Sequence, residues 1–156
     1  MVIQRWQSVL LLVAGAVMAC FTFMSLGQVQ MPDYSLNFTT LGFCIEGEAA
    51  PGAPSGFMMH TWEFFAVSLL SSLLPLINIF LFKNMRLQKR ICLIEFVFLL
   101  AVVAIGANYG YNAFEGYSVS WSSLIVAPAL AIIADVMAYG RISADQRALR
   151  SADRIR

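Results

Sequence analysis

The chain has 156 residues, enough for one domain. It is 60% hydrophobic and 12% charged, with a mean hydropathy of +0.74 and a formal net charge of +1. A soluble domain carries roughly 25% charged residues, so a soluble enzyme and a disordered segment are poor fits, and so small a net charge offers no electrostatic footprint for nucleic acid.

Charges bound long apolar stretches. Arg5 and Asp33 enclose 27 uncharged residues; Glu63 and Lys83, Glu95 and Glu115, and Glu115 and Asp135 each enclose 19. Nineteen helical residues reach roughly 28 Å, close to the ~30 Å hydrocarbon core of a bilayer. The spacing predicts four transmembrane helices near residues 7–27, 60–82, 92–112 and 118–140. The expected fold is therefore an all-α antiparallel bundle, 1–156 forming one domain in a lipid bilayer. Arg5 and the following apolar run have the look of a signal peptide, and Val17-Met18-Ala19-Cys20 approximates a lipoprotein cleavage box. Phe21-Thr22-Phe23-Met24 carries the apolar run past the cysteine, so an uncleaved first helix is expected.

The first link, 28–59, is the largest extramembrane segment before the tail. Tyr34 to Thr39 alternates apolar and polar residues, which predicts a short β-hairpin, and Glu46 to Gly56 is rich in Pro and Gly, a flexible return. Pro75 and Pro128 are expected to kink helices 2 and 4. The tail, 141–156, is helical in pattern, with a capping box at Ser143-Ala144-Asp145-Gln146. It reads either as a basic helix docking on anionic lipid or a partner, or as a continuation of helix 4. All ten Lys and Arg residues fall before helix 1, between helices 2 and 3, or after helix 4. This positive-inside pattern places both termini in the cytoplasm.

Charges inside a bilayer are costly and mark candidate sites. Glu95 and Asp135 lie at similar depth, and antiparallel packing of helices 3 and 4 would allow them to face one another, which the spacing alone leaves open. They read as a cation or proton site, or as near-interface acids paired with Arg5, Lys89, Arg90 or Arg141. His60 and Glu63 lie one turn apart at the outer start of helix 2, a polar pair too small for a metal site. Gly106 and Gly110 form a G-x-x-x-G that permits close packing against helix 4 or a second copy, with Asn108 and Asn112 as hydrogen-bonding glue. Cys20, Cys44 and Cys92 form no C-x-x-C motif. No catalytic triad, metal cluster or cofactor motif stands out, so no cofactor is expected.

The two ends carry a resemblance. Ile3-Gln4-Arg5-Trp6-Gln7, leading to Leu11, and the closing Ser151-Ala152-Asp153-Arg154-Ile155-Arg156 resemble the ends of an uncharacterised bacterial family of four-span membrane proteins, known as a domain of unknown function. The resemblance implies a bacterial cytoplasmic-membrane location and a cytoplasmic contact among Gln4, Arg5, Asp153 and Arg154, with Arg5 pairing to Asp153. It brings no activity. The first functional expectation is a non-enzymatic accessory or structural subunit contacting a membrane-protein partner or anionic lipid. The alternative is a small homo-oligomeric transporter or channel using Glu95 and Asp135. The weakest is a lipid-modifying enzyme using His60 and Glu63.

Overall fold

The computed structural model describes residues 2–32, 34–46, 56–82, 84–112, 114, 116–117 and 119–153, without the side chains of 2–5, 46, 149–150 and 152–153. The expected Arg5, Asp153 and Arg154 contact and most of the Glu46–Gly56 return lie outside the described residues.

Helix α1 (Val2–Phe23) leads into strands β1 (Gly27–Gln30), β2 (Ser35–Thr39), β3 (Gly42–Glu46) and β4 (Phe57–His60). Helices α2 (Trp62–Phe80) and α3 (Met85–Asn112) follow, then strand β5 (Val119–Trp121), a 3₁₀ turn (Ser123–Val126) and α4 (Ala127–Asp153). α1 and α3 each pack against both α2 and α4, giving a square four-helix bundle. One end carries the strands and is called here the sheet end; the other, with the chain termini, is the tail end.

The all-α expectation is corrected by a five-stranded antiparallel sheet of order β4-β3-β2-β1-β5. The cause is one-sided burial. Val29, Leu36, Phe38, Phe43 and Val119 are buried against the helix ends, while Gln28, Gln30 and Ser120 face out, the pattern of an antiparallel sheet with one wet face. Residues 27, 60 and 119–121, expected inside helices, instead join this sheet: Gly27 pairs with both Phe38 and Trp121, and Gly42 pairs with His60. Gly42 has φ +144°, and a Cβ there would stand 2.1 Å from the Met59 carbonyl oxygen, so only glycine fits the start of β3.

Aromatic rings fuse sheet and bundle. Phe38 stacks on Phe43 at 4.4 Å, and Phe64 of α2 lies 6.1 Å from both Phe38 and Phe21 of α1. Threonines stitch the backbone: Thr40 Oγ1 donates to Thr22 O at 2.7 Å, and Thr61 Oγ1 to Thr40 O at 2.9 Å.

Two further expectations change. Pro128 occupies the first turn of α4 rather than its interior, where its missing N–H breaks no intrahelical bond. Pro75 does lie inside α2. Of the two readings of the tail, continuation of helix 4 is the one found, since α4 runs unbroken to Asp153; the capping box is corrected, because Ser143 lies mid-helix with its carbonyl accepting from Arg147 Nε at 3.3 Å.

Candidate functional site

The outer face of the bundle is apolar, unlike that of a water-soluble one, and several polar groups lie inside. Leu12, Leu73, Val97 and Ile133, one from each helix, are exposed. Ser68, Ser71, Ser72 and Asn78 of α2, Gln88 and Glu95 of α3, and Asp135 of α4 are buried. In water the apolar side chains would turn inward; this arrangement suits an apolar surrounding with the polar groups sheltered inside. All four helices are long and apolar enough to cross a membrane.

The acids are the centre of that polar interior. Glu95 is 0% exposed and Asp135 2%. Antiparallel packing of α3 and α4 brings the two carboxyl groups against one another. Neither oxygen of Glu95, nor Oδ1 of Asp135, receives a hydrogen from another described residue. Two carboxyls this close do not readily both carry charge without a counter-charge, which makes the pair a candidate site for a proton or a cation. The expected partnership with Lys89, Arg90 or Arg141 is not formed: Lys89 stands over the Tyr139 ring, 4.8 Å from its centroid, and Arg90 and Arg141 are exposed.

Toward the tail end the polar groups form a connected group. Cys92, one helical turn from Glu95, lines the same recess as Asp135 and accepts from Asn78 Nδ2 at 3.3 Å. Asn78 Nδ2 also donates to Gln88 O at 3.2 Å, and Gln88 Nε2 returns a bond to Asn78 O at 3.4 Å. Nearer the tail, Gln7 of α1 donates to Asp145 of α4. Toward the sheet end the core turns apolar, with Leu99, Val102, Ala131 and Phe64 all buried. The sequence reading passed over Gln88. Its signal is a polar side chain ten residues beyond Asn78 across a short interhelical link.

The other candidates separate. His60 is exposed on β4 against the Phe57 ring, whereas Glu63 accepts from the Tyr109 hydroxyl on α3; the two serve different partners. Gly106 faces the Phe64 ring, and a Cβ on Gly110 would lie 2.1 Å from Trp121. Both glycines therefore make room for rings of α2 and β5, not for α4. Asn108 and Asn112 lie exposed, bonded to each other at 3.0 Å. Cys20, Cys44 and Cys92 are free thiols. Among the described residues no group of three or more His, Cys, Asp or Glu side chains is placed to hold a metal.

Fold and site together define a class: a four-helix bundle with membrane-compatible helices, closed at one end by a β-sheet and holding two facing acids in its core. The chain belongs to the family described as Domain of unknown function (DUF4293), whose profile matches residues 3–155. None of the curated proteins compared with it matches.

Proposed function

We propose that the protein is a multi-pass membrane protein that binds and releases a proton at the Glu95–Asp135 pair, and that it works as a small proton-linked carrier. The observation that carries this reading is the meeting of two fully buried acids from different helices with no cationic partner among the described residues. A purely structural pair of this kind gains nothing over two leucines, because burying ionisable groups costs more than their contact returns. Intramembrane acids of this kind mark proton and ion pathways. The polar side chains between the pair and the tail end give protons a route from that side. The basic residues Arg86, Lys89 and Arg90 of α3 and Arg141 and Arg147 of α4 cluster at the tail end, which supports a cytoplasmic assignment for it, and hence for both termini.

We place this reading ahead of an accessory subunit, because the acid pair is the more specific feature among the described residues. It also displaces a lipid-modifying enzyme, since His60 and Glu63 do not converge.

The test is infrared difference spectroscopy of the protein reconstituted in lipid, titrated across pH. A carboxylic-acid C=O band that appears on acidification and is lost in both Glu95→Gln and Asp135→Asn supports the reading. A spectrum in which neither variant removes a band overturns it. Dye-reported proton uptake into proteoliposomes, lost in Glu95→Gln, supports transport; uptake equal to that of the variant overturns transport.

A further inference from the structure

A recess of about 180 Å³ indents the flank of the bundle between α3 and α4. Cys92, Leu93, Phe96, Asp135, Val136 and Tyr139 line it. Leu93 and Val136 are themselves exposed, so the recess opens sideways, toward the surface that lipid covers if the helices span a bilayer. Asp135 contributes the acid: it is 2% exposed, and its Oδ1 lacks a donor. Phe96 and Tyr139 contribute rings, and Tyr139 already holds the Lys89 ammonium at 4.8 Å, within cation–π range.

These walls select among cations. A small hydrated ion needs several oxygen ligands to replace its water, and here one acid faces an otherwise apolar and aromatic lining. A quaternary ammonium or phosphonium holds its water weakly, and its carbon surface gains from apolar contact. Such an ion also partitions into a bilayer, where the mouth lies.

We propose that this recess binds a compact lipophilic organic cation, its charge against Asp135 and its body against Leu93, Phe96, Val136 and Tyr139, and that this is the class of substrate carried. The inference rests on the reading of the acid pair as a proton site. Binding exchanges charge for charge: one proton leaves the pair as one organic cation arrives, so the core keeps the same net charge in both states. Among the described residues, the titratable groups facing Asp135 and the recess are Lys89, Cys92 and Glu95 of α3 and Tyr139 of α4. The buried residues that α1 and α2 turn to the core, from Gln7 to Thr22 and from Phe64 to Asn78, include no acid or base.

The experiment uses the full chain in lipid nanodiscs, with tetraethylphosphonium, small enough for the recess, as probe, triethylphosphine oxide as neutral control and empty discs as background. The expected result is saturable phosphonium binding, one per chain, with release of about one proton into weak buffer and no saturable binding of the oxide. Asp135→Asn should weaken binding at least tenfold. Val136→Trp should do the same by filling the mouth while leaving both acids and their infrared carboxyl band in place, which covers a misfolded Asp135→Asn. Binding unchanged in Val136→Trp, binding without proton release, or uptake equal to empty discs overturns the inference. If the carboxyl band titrates but the phosphonium does not bind, the substrate class is wrong and the proton site stands. If the band itself is missing, the proton site is wrong as well.

Discussion

Replacing both buried acids with leucine tests the energetics of the pair most directly. Glu95 and Asp135 are 0% and 2% exposed. An ion taken out of water costs several kcal/mol even after the protein relaxes, and the hydrogen bond across a singly protonated pair returns about 1.5–3 kcal/mol. Apolar replacement of buried ionic groups ranges from neutral to about 4 kcal/mol stabilising, and the recess beside Asp135 gives the larger leucine room. We therefore expect Glu95→Leu/Asp135→Leu to be about 2 kcal/mol more stable than wild type. That is roughly 4–8 °C in Tm, at about 2–4 °C per kcal/mol for a chain of this size. Glu95→Leu alone should move the other way, by about 1–3 kcal/mol, because it strands the Asp135 carboxyl in the core without a partner. A reversal of sign between single and double variant is direct evidence of coupling. Thermal unfolding of the detergent-solubilised protein, followed by near-UV circular dichroism and by recovery of the size-exclusion peak, measures both shifts. A double variant about 2 kcal/mol less stable than wild type, or single effects that simply add, would refute the reasoning and make the acids structural.

Three further outcomes are expected at the sheet end. Phe38→Ala should cost about 3–5 kcal/mol, since Phe38 is fully buried between Phe43 and Phe64; a loss under 1 kcal/mol in chemical denaturation contradicts a shared sheet–bundle core. Thr40→Val keeps the shape but removes the 2.7 Å bond to Thr22 O, and should cost about 1–3 kcal/mol. Faster amide exchange in β2 and β3 is the readout, and unchanged exchange refutes the stitch. Gly110→Val drives a side chain into Trp121 and should cost about 1–3 kcal/mol. In a background lacking Trp6 and Trp62, the Trp121 emission should shift to the red, and a constant spectrum refutes the contact.

The helices were legible because membrane-length apolar segments are a local property, bounded by single charges such as Glu63 and Lys83. The strands were not. Val119-Ser120-Trp121 is too short to show a period, and Phe57-Met58-Met59 falls in the outer link with His60 at the expected start of helix 2; each becomes a strand only through pairing with a partner distant in sequence. The hairpin signal at Tyr34–Thr39 was present but gave no hint of five strands. Of the site, the depth of Glu95 and Asp135 was readable from their distance to flanking arginines, while their lack of a cationic partner was not, because it depends on which way Lys89 turns. The G-x-x-x-G signal misled on its partner: it records close approach without saying what approaches, and here aromatic rings do.

The sheet has a mechanical consequence. β1 bonds to β5, so the chain leaving α1, the chain entering α2 and the chain entering α4 are clasped in one hydrogen-bonded plate. At the opposite end α2 and α3 are joined by a short turn, whereas α1 and α4 meet there through the Gln7–Asp145 contact. Any opening of the bundle thus pivots on the plate and widens toward the tail, where, beyond the α2–α3 turn, side-chain contacts such as Gln7–Asp145 tie the helices, like a clothes-peg whose spring is the sheet.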